Sequence, residues 1–385
     1  MGSDRVTTFD VIVAGIGAMG SQTCWHLAKR GKRVLGLDRY DIPNGMGSSH
    51  GANRIIRLSY FEHPLYVPIL RRAYELWREA GQKAGEQLLY TTGSLDIGPS
   101  GSPIIEGSLE SCRQHDLPHT LLTAADIGAR FPGYRLPENF MAVHQPDGGF
   151  VASERAIVVA AELAMDAGAV IRGRESVLGF EPLADGEGVR VRTDRGTYEA
   201  GSLVLSTGAW IGEHVPGLKE TAVPERQVLG WFRPKRPELF RLGAFPVSNL
   251  KSDLGHFYQL PAWGLPGFKI GLYHHLREKG PADALSREPN AADEQALRKG
   301  LAAFFPEADG DVLTLRTCIF TNTPDEHFIL DRLPDAPQII VASPCSGHGF
   351  KFSSAIGEIL ADLASGKKSA FDLSPFALSR FQGTS

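Results

Sequence analysis

The sequence predicts an α/β protein in which one domain is assembled from separated segments and a strand-rich domain is inserted between them. Three observations carry this. A strand, a glycine-rich turn and a helix follow one another at the start of the chain. A second strand, glycine-rich turn and helix stand near its end. The residues between are mostly strand-like. At 385 residues the chain is too long for one ordinary core and fits two joined domains.

Residues 9–14 are an apolar run of the kind that forms a buried parallel strand. Gly15-Ile-Gly-Ala-Met-Gly20 follows at once, then a helical pattern from 21 to about 30 that Gly31 ends, then a second strand at 34–37 closed by Asp38. A polar, glycine-rich loop over 45–54 is long for a mere connection and is a candidate functional loop. Residues 65–80 carry Leu70, Ala73, Leu76 and Trp77 on one helical face. The stretch 90–148 mixes a strand at 94–98 with two short helices. A helix is expected over 153–167, strands over 177–181, 189–193, 203–206, 227–232 and 268–273, and a helix over 292–304. A strand at 338–342, a glycine-rich loop and a helix over 352–364 complete the pattern.

Composition excludes several classes. Apolar residues make up 42% and charged residues 22%, as in ordinary globular proteins, and the net charge of -4 argues against a general nucleic-acid binder. No apolar run reaches the roughly 18 residues of a membrane span, and no secretory signal is legible, so a cytoplasmic location is expected. Residues 382–385 are not a peroxisomal address. Cys24, Cys112, Cys318 and Cys345 lack metal or redox-pair spacing and suit a reducing compartment. His274 and His275 are adjacent, and on a strand they would face opposite ways, so no metal site is expected.

Gly15, Gly17 and Gly20 have the spacing that gives a tight turn, a close approach to a pyrophosphate, and close helix packing; Asp38 follows where its carboxylate could bind ribose hydroxyls. The helix N-terminus then meets phosphate charge. This fingerprint predicts a bound dinucleotide without separating FAD from NAD. Ser346-Gly-His-Gly-Phe-Lys351 again places two glycines before a helix, which suits an anion or a polar ring edge, or is simply a turn.

Four motifs together go further. Gly15-x-Gly-x-x-Gly20, Ser49-His-Gly-x-x-Arg-Ile-Ile-Arg57, Cys318-x-x-x-x-Thr-Pro-Asp-Glu-His-Phe328 and Ser346-Gly-His-Gly-Phe-Lys-Phe352 resemble the monomeric sarcosine oxidase and N-methyltryptophan oxidase family, in order and at similar spacing, over essentially the whole chain. The resemblance implies a Rossmann-like FAD-binding domain of the p-hydroxybenzoate hydroxylase type over 1–90, 149–219 and 325–385, and a mixed-sheet substrate domain over 91–148 and 220–324. It implies a monomer that oxidises a secondary amine, an N-methyl or cyclic amino acid, to an imine, with O2 as acceptor and H2O2 as product. Cys318 matches the cysteine joined through sulfur to the flavin 8α-methyl. Arg57 and Lys351 match two ligands of the substrate carboxylate, a fork and a point charge. Arg54 and Lys269 match two cations beside the flavin, Lys269 at the position that activates O2; a cation there stabilises charge passing to O2. His50 matches a histidine near the ring. Tyr60 and Tyr258 match pocket tyrosines, each giving an apolar face and one hydroxyl.

The remaining cofactor contacts expected on this resemblance are Ala18, Met19, Arg39, Ser49, Val177, Thr207, Gly208, Trp210, Gly347, His348, Gly349 and Phe350. The family's active-site histidine lies four residues past its lysine. Here Tyr273 stands there, and His274, the next residue, is expected to take the role. Asn53 replaces Thr, Phe320 replaces Tyr, and Pro344-Cys345 replaces Gly-Phe. With the pocket so changed, sarcosine, N-methyltryptophan, pipecolate, proline-like and glycated amino acids all remain compatible. A flavin-dependent dehydrogenase using another acceptor, an NAD-dependent dehydrogenase and a non-catalytic flavin-binding subunit are the alternatives. The NAD reading leaves the Cys318 and Lys351 motifs unexplained.

Overall fold

A computed structural model describes residues 7–184 and 186–381. The C-terminal reading at 382–385 lies outside the described residues. Among the described residues the fold is two eight-stranded sheets, a small three-stranded sheet, and helices packed against them.

The first sheet is centred on Thr7–Ala14, flanked in parallel by Val34–Leu37 on one side and Thr197–Leu205 on the other. Thr197–Leu205 also pairs in parallel with Ala336–Ser343, and Val34–Leu37 with Val170–Arg172. The central strands are buried on both faces, which is why Val11, Ile12 and Val13 form an unbroken apolar run rather than an alternating one. Helices Ala18–Ala28, Val67–Ala84, Ser153–Asp166 and Ser353–Ala364 cover one face, with Trp25, Leu70, Trp77, Ala156 and Ile356 in one core.

The second sheet runs in the order Val312–Asn322, Val223–Phe232, Phe268–Leu272, Gly255–Leu260, Val247–Ser252, Ser94–Pro99, Phe140–Gln145, Thr120–Thr123. It is antiparallel except for Val247–Ser252 against Ser94–Pro99. Its sides are chemically different. Leu95, Ile97, Val228, Leu250, Phe257, Phe268 and Ile270 pack with Leu297 and Leu301 of helix Ala291–Phe304 in one core. Directly paired residues share a face and neighbours along a strand alternate. The row Asp96, Asn249, Tyr258, Gly271, Leu229, Arg316 therefore lies on the other side. The first sheet draws its strands from 7–37, 170–205 and 329–343, and the second from 94–145, 223–272 and 312–322.

The structure departs from the sequence expectation in places. The polar loop over 45–54 ends in a short strand, Asn53–Ile56, paired with Gly149–Ala152. The strand expected at 203–206 is the end of a longer one, Thr197–Leu205. Among the described residues no helix is long and apolar enough to cross a membrane, and no cluster of His, Cys, Asp or Glu could hold a metal ion.

Candidate active site

One cavity of about 540 Å³ runs from the first glycine-rich turn, between the two large sheets, to the last one. Its near end is built by the first sheet. Gly15 has φ of +90°, and a Cβ there would lie 2.5 Å from the Ser206 carbonyl oxygen. A Cβ on Gly20 would lie 1.8 Å from the Gly15 carbonyl oxygen, so only glycine lets the helix start this close to the turn. At Gly17 a Cβ would meet nothing nearer than 3.8 Å, which leaves the space open for a ligand. Asp38 is buried. Its Oδ2 accepts from the Ile16 N–H at 2.7 Å and its Oδ1 from the Tyr40 N–H at 2.8 Å. Each oxygen keeps a lone pair for a further donor.

Ala18, Met19, Arg39, Ser49, Val177, Thr207, Gly208 and Trp210 line this end, with Gly15, Gly17 and Asp38. Gly20 packs behind. Arg39 reaches Asp283 at 2.9 Å, and Trp210 donates to the other Asp283 oxygen. The Thr207 hydroxyl is buried without a partner among the described residues. A glycine cradle, an acid and an orphaned hydroxyl fit a dinucleotide with its sugar hydroxyls and phosphates.

The middle of the cavity carries Arg54, Cys318, Tyr258 and Phe320. The Glu154 carboxylate, in the first turn of its helix, accepts from the Gly51 and Ala52 N–H groups. That turns the Gly51 and Asn53 carbonyls toward Lys269, whose Nζ donates to both and to Asn53 Oδ1 at 2.7–2.9 Å. Three acceptors match the three N–H donors of an ammonium. Burial nonetheless pushes the Lys269 pKa well below that of an ordinary lysine, and Arg54 pushes the same way. Lys269 sits beneath this loop rather than on the cavity wall. Arg54 donates to the Asn53 and Ser48 carbonyls, with Nη2 3.8 Å from Cys318 Sγ. Tyr258 lies over Gly271, where a Cβ would fall 2.2 Å from the ring.

The far end is ionic. Lys351 lines the cavity and donates to the His348 carbonyl at 2.7 Å; burial, then Arg57, bring its pKa down to about 7. His348 is neutral, since burial holds its pKa near about 4. Its Nε2 meets the Glu326 carbonyl, which only accepts, so Nδ1 accepts from the Tyr60 hydroxyl at 2.5 Å. Arg57 is 2% exposed and already occupied. It donates to the Ser59 carbonyl and to both Glu62 oxygens, at 2.9 and 2.7 Å, and its Nε lies 3.4 Å from Asp96. Burial pushes the Glu62 carboxyl up, but Arg57 and other nearby cations outweigh it and hold it near about 2.

The structure thus brings together on the wall Arg54, Tyr258, Cys318, Lys351 and the Gly347–Phe350 turn. Lys269, Arg57 and Tyr60 sit directly behind it. His50, neutral because burial and Arg54 lower its pKa to about 4, faces a neighbouring cavity with Glu154 and Arg316. His274 is displaced from its expected role. Its φ is +55°, and its ring lies between Glu225 (3.1 Å) and Glu326 (3.2 Å), which raise its pKa to about 9. The cavity position belongs to Tyr273, stacked on His256. Sequence reasoning missed Asp96, Glu62 and Asn249. Asp96 had a signal: a carboxylate in the middle of the strand Ser94–Pro99, whose other residues read as core.

A family model described as FAD dependent oxidoreductase matches residues 10–363. The chain is 38% identical over 379 residues to a monomeric sarcosine oxidase of Bacillus sp. (strain NS-129), covering 97% of each chain. It is 34% identical over 381 residues to the N-methyl-L-tryptophan oxidase of Yersinia pestis (strain Pestoides F), covering 97% of this chain and all of the other. Among solved structures it resembles NikD, an amino acid oxidase essential for nikkomycin biosynthesis, with a TM-score of 0.83, 27% identity, and coverage of 97% and 98%. Glycine oxidase from Geobacillus kaustophilus shares the fold, with a TM-score of 0.81 at 23% identity over 98% of this chain and all of that one.

Proposed function

This chain belongs to the FAD-dependent oxidoreductase family, and from that premise we propose that it oxidises the secondary amine of an N-alkyl or cyclic amino acid. The observation that carries the reading is the continuity of one cavity from a dinucleotide cradle to a buried lysine ammonium.

A bound FAD would supply the two-electron oxidation of the amine to an imine, with O2 as the final acceptor and H2O2 as the product. The glycine turn and Asp38 would hold its phosphates and ribose. Cys318 would hold the flavin through a thioether to its 8α-methyl, the S–H and one methyl C–H being lost as two protons and two electrons that pass to O2, with Arg54 supplying positive charge beside the sulfur. Lys351 anchors the substrate carboxylate, and Arg57 is the second cation behind it. Lys351 and Arg57 are already balanced by Glu62 and Asp96, so a third carboxylate is admitted most readily if Glu62 turns outward. Glu62 is the one with a route: its side chain is 19% exposed and that of Asp96 is sealed. Tyr258, Tyr273 and Phe320 enclose the amine and exclude water, which favours its neutral, oxidisable form. Lys269, buried among three acceptors, supplies positive charge where electrons leave for O2. We propose a monomer, by its similarity to the monomeric sarcosine oxidases.

The test is an absorption spectrum of the purified protein, repeated on acid-precipitated material and again under nitrogen with N-methyl and cyclic amino acids added. Yellow colour in the pellet and bleaching by an amine support both parts of the reading. Colour lost to the supernatant refutes the Cys318 link alone. No flavin, or no bleaching by any of these amines, overturns the proposed reaction.

A further inference from the structure

Resting on that functional reading, we propose that Asn249 is a specificity-determining residue that selects amino-acid substrates carrying a hydrogen-bond donor, a hydroxyl or an N–H, on the substituent remote from the reacting amine.

Asn249 sits in the middle of the buried row on the second sheet, paired with Asp96 on one side and Tyr258 on the other. It lines the cavity and is 4% exposed. Its Nδ2 donates to Asp96 Oδ1 at 2.9 Å. The Ser59 and Ser108 hydroxyls take Oδ2, at 2.9 and 3.0 Å, and Arg57 Nε lies beside Oδ1. A carboxylate surrounded by donors and a guanidinium accepts only, so it fixes which end of the Asn249 amide turns toward it. The carbonyl Oδ1 must therefore point the other way. It takes no hydrogen bond from any described residue and is not sealed in the interior.

The cavity wall here thus presents a fixed acceptor. A ligand group that cannot donate would leave it dry and unpaired, and this is how a polar site rejects an apolar isostere. Position decides which ligand group it meets. The strand of Asn249 is two strands from that of Lys269, about 10 Å at ordinary strand spacing. The reacting carbon and nitrogen belong near Lys269 and Arg54. Asn249 shares Asp96 Oδ1 with Arg57, so it meets the part of the substrate beside the carboxylate and away from the reacting carbon and nitrogen.

The holoenzyme is assayed with matched pairs: N-methyl-L-serine against N-methyl-L-2-aminobutyrate, and both 4-hydroxy-L-proline diastereomers against L-proline. In parallel, cyclopentanecarboxylate and its cis- and trans-3-hydroxy derivatives, which have no amine to oxidise, are titrated by flavin absorbance. The expected result is at least a tenfold preference in kcat/KM for the donor-bearing member of one pair. At least a tenfold lower Kd for one hydroxy acid goes with it. Both ratios fall toward one in Asn249→Leu. Ratios within threefold of one in the unmodified protein overturn the proposal without any variant. So does an Asn249→Leu protein that loses affinity for both members equally, since that is a structural role. If no amine bleaches the flavin, the functional reading fails; the carbocyclic acids still judge Asn249 independently.

Discussion

Lys351 makes binding of a carboxylate depend on pH in a way that can be worked out beforehand. Its ammonium is buried, so its pKa in the free site lies at about 7 rather than near 10.5. A bound carboxylate replaces lost solvation with an opposite charge and raises that pKa. The complex therefore holds one more proton than the free site across the interval between the two values. By linkage, affinity is full below pH 7 and falls as pH rises through it, by up to tenfold per unit. Between pH 6 and 8.5 the expected weakening is about 30-fold, or about 2 kcal/mol. Glu62 and His348, at about 2 and about 4, do not titrate in this window, and His274, at about 9, does not line the cavity. The assay is a titration of holoenzyme with cyclopentanecarboxylate by flavin absorbance at half-unit steps of pH. A carboxylic acid without an amine is essential, because ionisation of an amine substrate runs the other way and would mask the effect. Lys351→Met should bind weakly and show no slope. A Kd that is flat from pH 6 to 8.5 in the unmodified protein refutes the reasoning, as does a slope that survives Lys351→Met.

Glu62→Gln removes one of the two anions on Arg57 while keeping its shape, so affinity for the same acid should rise by on the order of tenfold, read as Kd; unchanged or weaker binding contradicts the charge balance inferred above. Gly20→Ala forces a Cβ against the Gly15 carbonyl, which is backbone and cannot step aside, so the protein should purify with little flavin and a lower Tm, seen by absorbance and calorimetry. His274 has a pKa raised from 6.5 to about 9, so its contribution to stability is complete below pH 6.5 and lost as pH rises through 9. The Tm of the unmodified protein should therefore fall more between pH 6.5 and 9.5 than that of His274→Gln, and parallel curves would remove the ion pairs with Glu225 and Glu326 from the stability account.

Much of the architecture was legible because the signals were local. An apolar run, a glycine spacing and an acid at the end of the next strand lie within 40 residues, and each has a direct steric or electrostatic cause. The same holds for the Ser346–Lys351 turn. The ion chemistry was legible only by halves. Arg57 stood out as a charge among Ile55, Ile56 and Leu58, but its partners lie 5 and 39 residues away, on a loop and on another sheet. His274 shows the limit of counting. One residue decides which face a strand residue takes, and the backbone turns to positive φ just past the last paired residues, so the aromatic at 273 faces the cavity and the imidazole sits between the buried Glu225 and the exposed Glu326.

The second sheet explains why these residues belong together. Its apolar face is fixed by packing on helix Ala291–Phe304, and that alone commits every alternate residue of five strands to the cavity side. Asp96, Asn249, Tyr258 and Gly271 are neighbours because of strand register, though residues from 96 to 271 separate them in the chain. Shifting one strand by a single residue would swap Asn249 for Ser248 or Leu250, and Lys269 for Phe268 or Ile270. The core residues therefore specify the chemistry indirectly. Phe257 and Ile270 touch no ligand, yet their burial is what turns Tyr258 and Lys269 toward it. A polar residue in such a row carries its hydration cost in every state of the protein, so it is tolerable only where a partner or a ligand satisfies it. Asp96 has its partners in the chain. The carbonyl of Asn249 has none among the described residues, so water in the open cavity, or the donor of a ligand that displaces it, must supply one.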